Sequence, residues 1–423
     1  INRVLFPHKS KFPLVLKNVH FLKSHYPLVI VGTGAPFNLT NAIIEDCSFD
    51  GIHEVFSIAH SISFITNLSL INVSMKKTSL VLGYKLCAFV SEFTVRQCSF
   101  HQSQLLTFVD TNALVTNCTI LDSSLIDSTA FEGYGISSID IQNASFQSVA
   151  SNGTIVHSDL KTSIQLSKVT LINTSMESAM SGEVNCVSIR RIEMDNCSSS
   201  KPLVELTSST RIEIEAISIR NSSLQKILSI RRGILNWIGG FVMNSCVCKF
   251  ACVKCSQIGL SWIDFIGIDS SDTFIDAFQS ALSIESLSFK NLRVNSTPII
   301  LKADNESDVT VTNSTVSHFS NGGLLFDVGN AFSSENNAFK GLFYQKSGGI
   351  VAQISTEVTV IPNSRFKLGW MICLGVLALG LVCFIQRMSF SGKSRRPTPY
   401  MWDDAYFFLM AENEDVDDER SES

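Results

Sequence analysis

One short phrase returns thirteen times along the chain: apolar, any, apolar, any, Asn, any, Ser or Thr, apolar. Clear copies are Ile139-Asp140-Ile141-Gln142-Asn143-Ala144-Ser145-Phe146 and Val169-Thr170-Leu171-Ile172-Asn173-Thr174-Ser175-Met176. Its anchors are Asn18, Asp46, Asn72, Gln97, Asn117, Asn143, Asn173, Asn196, Asn221, Asn244, Asn291, Asn313 and Asn336. Most gaps fall in the low-to-mid twenties, a period that specifies stacked structural repeats. The gap from Asn244 to Asn291 is twice as long, which predicts a degenerate rung near residues 266–273.

The phrase carries its own geometry. Before the anchor, Ile139 and Ile141 share one side of a strand; after it, Ala144 and Phe146 share that side. A one-residue slip would flip every side chain of a straight strand, so the chain must bend at Asn143. Asn tolerates the left-handed backbone region and suits such a corner. A further short strand follows about ten residues on, as in Leu105-Leu106-Thr107-Phe108-Val109 and Leu203-Val204-Glu205-Leu206. Short strands joined by corners predict an all-β chain wound as a parallel β-helix. With neighbouring strands about 4.8 Å apart, roughly 14 coils make a rod about 65–70 Å long. Phe49, Met75, Phe100, Phe146 and Met176 are expected to stack inside.

The rod is expected to occupy residues 1–361, with a linker at 362–367. Residues 368–385 run LGWMICLGVLALGLVCFI, without charge in a chain that is 17% charged overall. Such a stretch is long enough to cross a bilayer as one helix. Arg387, Lys393, Arg395 and Arg396 follow it, which orients the rod outside or lumenal and the tail 386–423 in the cytosol. Basic and acidic residues nearly balance before the tail, so nucleic acid is excluded as a partner. The tail itself turns strongly acidic and reads as disordered. It holds Tyr406-Phe407-Phe408-Leu409, in which Tyr406 and Leu409 fit a short sorting signal for a cytosolic sorting or scaffold protein. The chain opens on Ile1 with no charged-then-apolar leader, so a processed or N-terminally incomplete chain is expected.

Sequons precede the apolar run throughout. Many of them are by-products of the corner phrase, so the better glycan candidates are Asn38, Asn67, Asn152, Asn295 and Asn305, read as lying away from the corners. Cys47, Cys98, Cys118 and Cys197 each follow a corner at an inward position and read as buried small apolar groups. Cys98 and Cys118 are expected on adjacent coils, and Cys87 and Cys186 at equivalent positions four coils apart. Cys246, Cys248, Cys252 and Cys255 read as an insertion over 246–255 carrying two local disulfides, with a zinc site as the alternative.

The remaining chemistry is sparse. The eight His are scattered without metal-ligand spacing, and no cofactor is expected. Asp269 and Asp272 are the closest acidic pair in the rod. Glu193, Glu205, Glu213 and Glu215, with Arg190, Arg191 and Arg211, form the densest charged patch and are expected to pair across the stack. No catalytic residue is assigned.

The rungs resemble the pectin-lyase-like parallel β-helix proteins over about residues 14–361. That resemblance implies a right-handed helix. Gly322-Gly323-Leu324-Leu325, Gly348-Gly349-Ile350-Val351 and Phe241-Val242-Met243-Asn244 resemble repeats of polymorphic-membrane-protein-like surface proteins. With a single helix and tail in place of a barrel, the likeness is to their protist forms, which implies an adhesin. The sequence therefore predicts a type I single-pass surface glycoprotein whose rod contacts glycans or surface proteins. A membrane-tethered carbohydrate-active enzyme and an accessory subunit of a membrane complex are the alternatives.

Overall fold

The computed structural model describes residues 12–31 and 36–319, apart from short gaps at 160, 209–210, 245–249, 271–272 and 295–299, with further strands at 4–6 and between 326 and 362. Every strand pairing from Val4 to Phe339 is parallel; the last pair, Gly349–Ile354 with Glu357–Pro362, is antiparallel. The described residues form a parallel β-solenoid of about 11 turns. This is fewer than the roughly 14 coils the repeat suggests. The apolar run 368–385, Tyr406 and Leu409 lie outside the described residues, among which no helix is long and apolar enough to cross a membrane.

One coil has three walls. Ile62–Ile71 is the long wall, Ser74–Lys76 the short wall and Ser79–Tyr84 the third. The next coil repeats them as Cys87–Arg96, Ser99–His101 and Gln104–Val109. Short walls form a sheet of their own with eight strands. Alternation places every second side chain of the long and short walls inside, where Phe49, Met75, Phe100, Phe146 and Met176 are buried as expected, while the third wall buries consecutive runs such as Leu105 to Phe108.

The expected bend is present. Asn143 has φ 57, with Ile139 and Ile141 buried before it and Ala144 and Phe146 buried after it. The structure adds a second bend five residues further along the same wall. Asn41, Asn67, Glu92, Asn117, Asn143 and Lys168 form the first left-handed column; Asp46, Asn72, Gln97, Asp122, Ser148 and Asn173 form the second. The phrase occurs at both, so its anchors mix two columns. That explains the uneven gaps around Asp46, Asn117 and Asn173. Cys98 and Cys118 do lie on adjacent coils, but in different columns: Cys118 stands in register with Phe93, not with Cys98. The degenerate rung exists, and its corner is Gly267 (φ 63), packed on Asn244 Oδ1.

Corner Asn side chains hydrogen-bond along the rod. Asn143 Nδ2 donates to Asn117 Oδ1 at 2.7 Å, and Asn67 Nδ2 to Asn41 Oδ1 at 3.0 Å. Asn143→Ala keeps the left-handed angle without the amide and is expected to cost about 1–2 kcal/mol. Asn143→Gly removes the steric penalty and is expected to cost visibly less. Urea midpoints of the two variants check the order.

Just past several corners of the second column an inward backbone N–H turns away from the wall ladder and needs an acceptor. The following coil supplies it from a small polar side chain. Val73 N donates to Cys98 Sγ at 3.4 Å, Cys98 N to Ser123 Oγ at 3.1 Å, and Cys197 N to Ser222 Oγ at 3.1 Å. Burial pushes the Cys98 thiol up to about 11 and the Cys118 thiol up to about 12. Both stay protonated and unreactive, as the buried reading requires.

Candidate functional site

The charged patch divides once the chain is wound. Arg191 pairs with Glu193 and Arg211 with Glu213, each pair two residues apart in the chain. The expected pairing across the stack is corrected in its register: Arg211 and Glu213 stand beside Cys186 and Ser188, and Glu193 beside Thr170 and Ser218, all uncharged. Glu205 lies on the third wall, in register with Ser181 and Ser229. Asp269 stands in register with Arg293, and Asp272 lies outside the described residues.

Arg191 and Glu193 do belong to a concave site. Thr170, Glu193, Ser218 and Phe241 form one outward column on four successive long walls. Ile172, Asp195, Arg220 and Met243 form the column beside it. Together with Arg191 these residues, Met243 apart, line an open groove. The Arg191 guanidinium holds Glu193 through Nε at 2.7 Å and through Nη2. Asp195 Oδ1 accepts from Asn221 Nδ2 at 3.0 Å. Arg220 lies 4.9 Å from the Phe241 ring centroid, a cation–π contact.

This groove presents two carboxylates on one side of a strand, two guanidinium groups, two hydroxyls and an aromatic face. Such a set can accept from and donate to polyol hydroxyls while an apolar ring face packs on the aromatic. Both carboxylates are held in hydrogen bonds at an exposed wall, which suits binding more than proton transfer. Sequence reasoning reached Arg191 and Glu193 but missed Asp195, Arg220 and Phe241. The alternation Arg191, Glu193, Asp195 was a visible signal of one face. Arg220 and Phe241 join only through register across coils.

A second polar line crosses the third wall. Glu132 is in register with Thr107 and His157, and His157 with Ser181. Tyr134 Oη donates to Glu132 Oε1 at 2.7 Å, and His157 Nδ1 and Ser181 Oγ are hydrogen-bonded at 3.0 Å. Glu132 is only 6% exposed, and burial pushes its carboxyl above the usual range, with the Tyr134 hydrogen bond and nearby His157 pulling back less. A carboxyl raised in the folded state holds its proton to higher pH than the unfolded chain does. Its contribution is present at acid pH and lost as pH rises past the ordinary carboxylate value and through the raised one. Glu132→Gln keeps the neutral form throughout. The variant is expected to flatten that fall, read as urea midpoint against pH from about 4 to about 8.

The glycan candidates differ in what holds them. Asn38 is half-buried in a wall strand, and its Oδ1 accepts from Thr40 Oγ1 at 2.9 Å. Asn67 stands at a corner (φ 54), not away from one, with its amide in the Asn ladder. Asn152 is exposed, yet its amide donates to Asp127 Oδ1 at 3.0 Å and its Oδ1 accepts from Asp127 N at 2.7 Å. Asn305 sits exposed in a turn, and Asn295 lies outside the described residues.

Among the four clustered cysteines, Cys246 and Cys248 lie outside the described residues. Cys252 and Cys255 stand in the strand Phe250–Ile266, in register with Ile230 and Gly233. The second half of the cysteine segment is thus part of a paired wall strand, with a register shift just after Cys255. Cys255 is 1% exposed. Among the described residues no group of three or more His, Cys, Asp or Glu is placed to hold a metal. Compared with known proteins, the chain matches no family model and no curated protein.

Proposed function

We propose that the solenoid is the extracellular or lumenal part of a type I surface glycoprotein, and that it works in adhesion or recognition by binding glycans along its long wall. The observation that carries this reading is the groove of Glu193, Asp195, Arg191, Arg220 and Phe241, with its mixed polar and aromatic chemistry. The charge-free run 368–385 with basic residues after it supports a single membrane anchor. The sequons before that run support exposure to the glycosylation machinery, and exposed Asn305 is the least encumbered of those described. The likeness of the rungs to pectin-lyase-like proteins, and of three short motifs to polymorphic-membrane-protein-like adhesins, favours a right-handed winding and a surface role. Tyr406 and Leu409 then contact a cytosolic sorting or scaffold protein.

The test is a glycan panel presented to the full chain in detergent, read for both binding and cleavage. Arg220→Ala removes a charged donor and the cation–π contact, and is expected to weaken binding about tenfold or more. Unchanged binding by that variant would remove the groove from the reading. Cleavage that disappears in Glu193→Gln would favour a membrane-tethered carbohydrate-active enzyme. Stable co-purification with another membrane protein, without glycan binding, would favour an accessory subunit.

A further inference from the structure

Two cysteines of the described residues are exposed, Cys87 and Cys186. They occupy one outward column of the long wall. The register runs from Cys87 through Asn112, Ser138 and Ser163 to Cys186, one residue per coil. Four coil spacings separate them, about 19 Å. A disulfide requires Cα atoms within about 7 Å, so these two cannot join within one chain.

The same face carries apolar surface at the Cys87 end. Ile62 precedes Cys87 in the column and is 47% exposed. Phe64 and Phe89, two residues along their strands, are 43% and 40% exposed and stack at 5.1 Å with planes 10° apart. A contiguous exposed cluster of this kind is a mark of an interface. At the far end, next to Cys186, stands the Arg211–Glu213 ion pair.

We propose that this face pairs with the same face of a second copy of the chain, the two rods lying side by side in the same direction, with Cys87 joined to Cys87 and Cys186 joined to Cys186 of the partner copy. A partner must present two thiols at the same spacing to meet both, and a second copy does so. Two directions satisfy the spacing. Antiparallel rods would join Cys87 to Cys186 twice, but would set Ile62 and Phe64 against the Arg211–Glu213 pair. Parallel rods keep each coil opposite its own copy, so the apolar coils meet each other and the charged coils meet each other. Burial of apolar surface selects the parallel arrangement.

Each bond forms by thiol–disulfide exchange. Two cysteine thiols become one disulfide, and a small-molecule disulfide such as oxidised glutathione is reduced to two thiols, taking both electrons and both protons. Only the natural occurrence of this oxidation rests on the extracellular placement proposed above; the surface complementarity does not.

The experiment uses the full chain, purified reduced in detergent as a mixture of isotope-labelled and unlabelled copies, then exposed to oxidised glutathione. Non-reducing gels and mass analysis of linked peptides are the readouts. The expected result is a covalent dimer with Cys87–Cys87 and Cys186–Cys186 linkages. Cys87→Ser and Cys186→Ser singly keep one linkage each, the double variant loses the covalent dimer, and Ile62→Asp lowers its yield. A monomer carrying only glutathione adducts at both cysteines would overturn the proposal. So would a Cys87–Cys186 linkage between copies, or a covalent dimer that survives in the double variant. If the chain forms the expected dimer in vitro but cell-derived material holds both thiols reduced, the extracellular placement fails and the interface stands.

Discussion

Phe265→Ala is expected to destabilise the solenoid by about 3–5 kcal/mol, the range for removing a fully buried aromatic. Phe265 stacks on Phe289 of the following coil at 4.9 Å and meets Phe250 and Phe274 edge-on at 5.9 Å and 5.8 Å. It therefore ties neighbouring coils together through four rings, all buried. In a solenoid each coil touches only its neighbours, so the damage is local. Hydrogen exchange should show the coils around Phe250 and Phe289 opening first, while those between Cys87 and Gln147 keep their protection. A loss spread evenly along the rod would contradict this reading, as would a shift in the urea transition below about 1 kcal/mol.

Gly240→Ala is expected to cost nearly as much, about 2–4 kcal/mol, although it adds a single methyl group. Gly240 has φ 124, a region that L side chains rarely enter. A Cβ there would lie 2.2 Å from Ile217 O and 2.9 Å from Ile217 N, both backbone atoms of the coil below. Neither can yield without breaking the register of Ile217 with Gly240. Gly51→Asn is the control. Gly51 is also left-handed (φ 66), but a Cβ there meets nothing within 4 Å. That variant is expected to be near neutral in the same urea transition.

These sites show why some features were legible in the sequence and others were not. The bend at Asn143 was legible because alternation and left-handed tolerance are local properties of a few residues. Gly240 was not, because its need for a missing Cβ comes from Ile217, a coil away. Trp262 makes the same point from the other side. It stands in the left-handed region (φ 53), 63% exposed, where the coil before has Gly239 and the coil after has Ser286. No corner preference would have placed it there; the stacked coils on either side hold it.

The candidate groove was half legible for a related reason. Arg191 and Glu193 stood out by charge density, and Asp195 shared their face by simple alternation. Arg220 and Phe241 reach them only because the intervening coils have the lengths they do. The same dependence sets Cys98 and Cys118 on adjacent coils but in different columns. Two corner columns five residues apart carry one phrase, and spacing alone cannot tell which column an anchor occupies.

The amino-acid sequence by itself determined that the described residues are all-β, that they wind into a parallel solenoid, and which long-wall side chains face inward. Period-two burial and corner tolerance are encoded within each repeat. The tertiary structure alone decided which residues of different coils become neighbours. It grouped Glu193 with Arg220 and Phe241, and it set Cys87 and Cys186 on one outward column beside the stacked Phe64 and Phe89. Contacts between coils depend on the exact residue count of every turn between them, and a slip of one residue carries a side chain from the outer surface to the core.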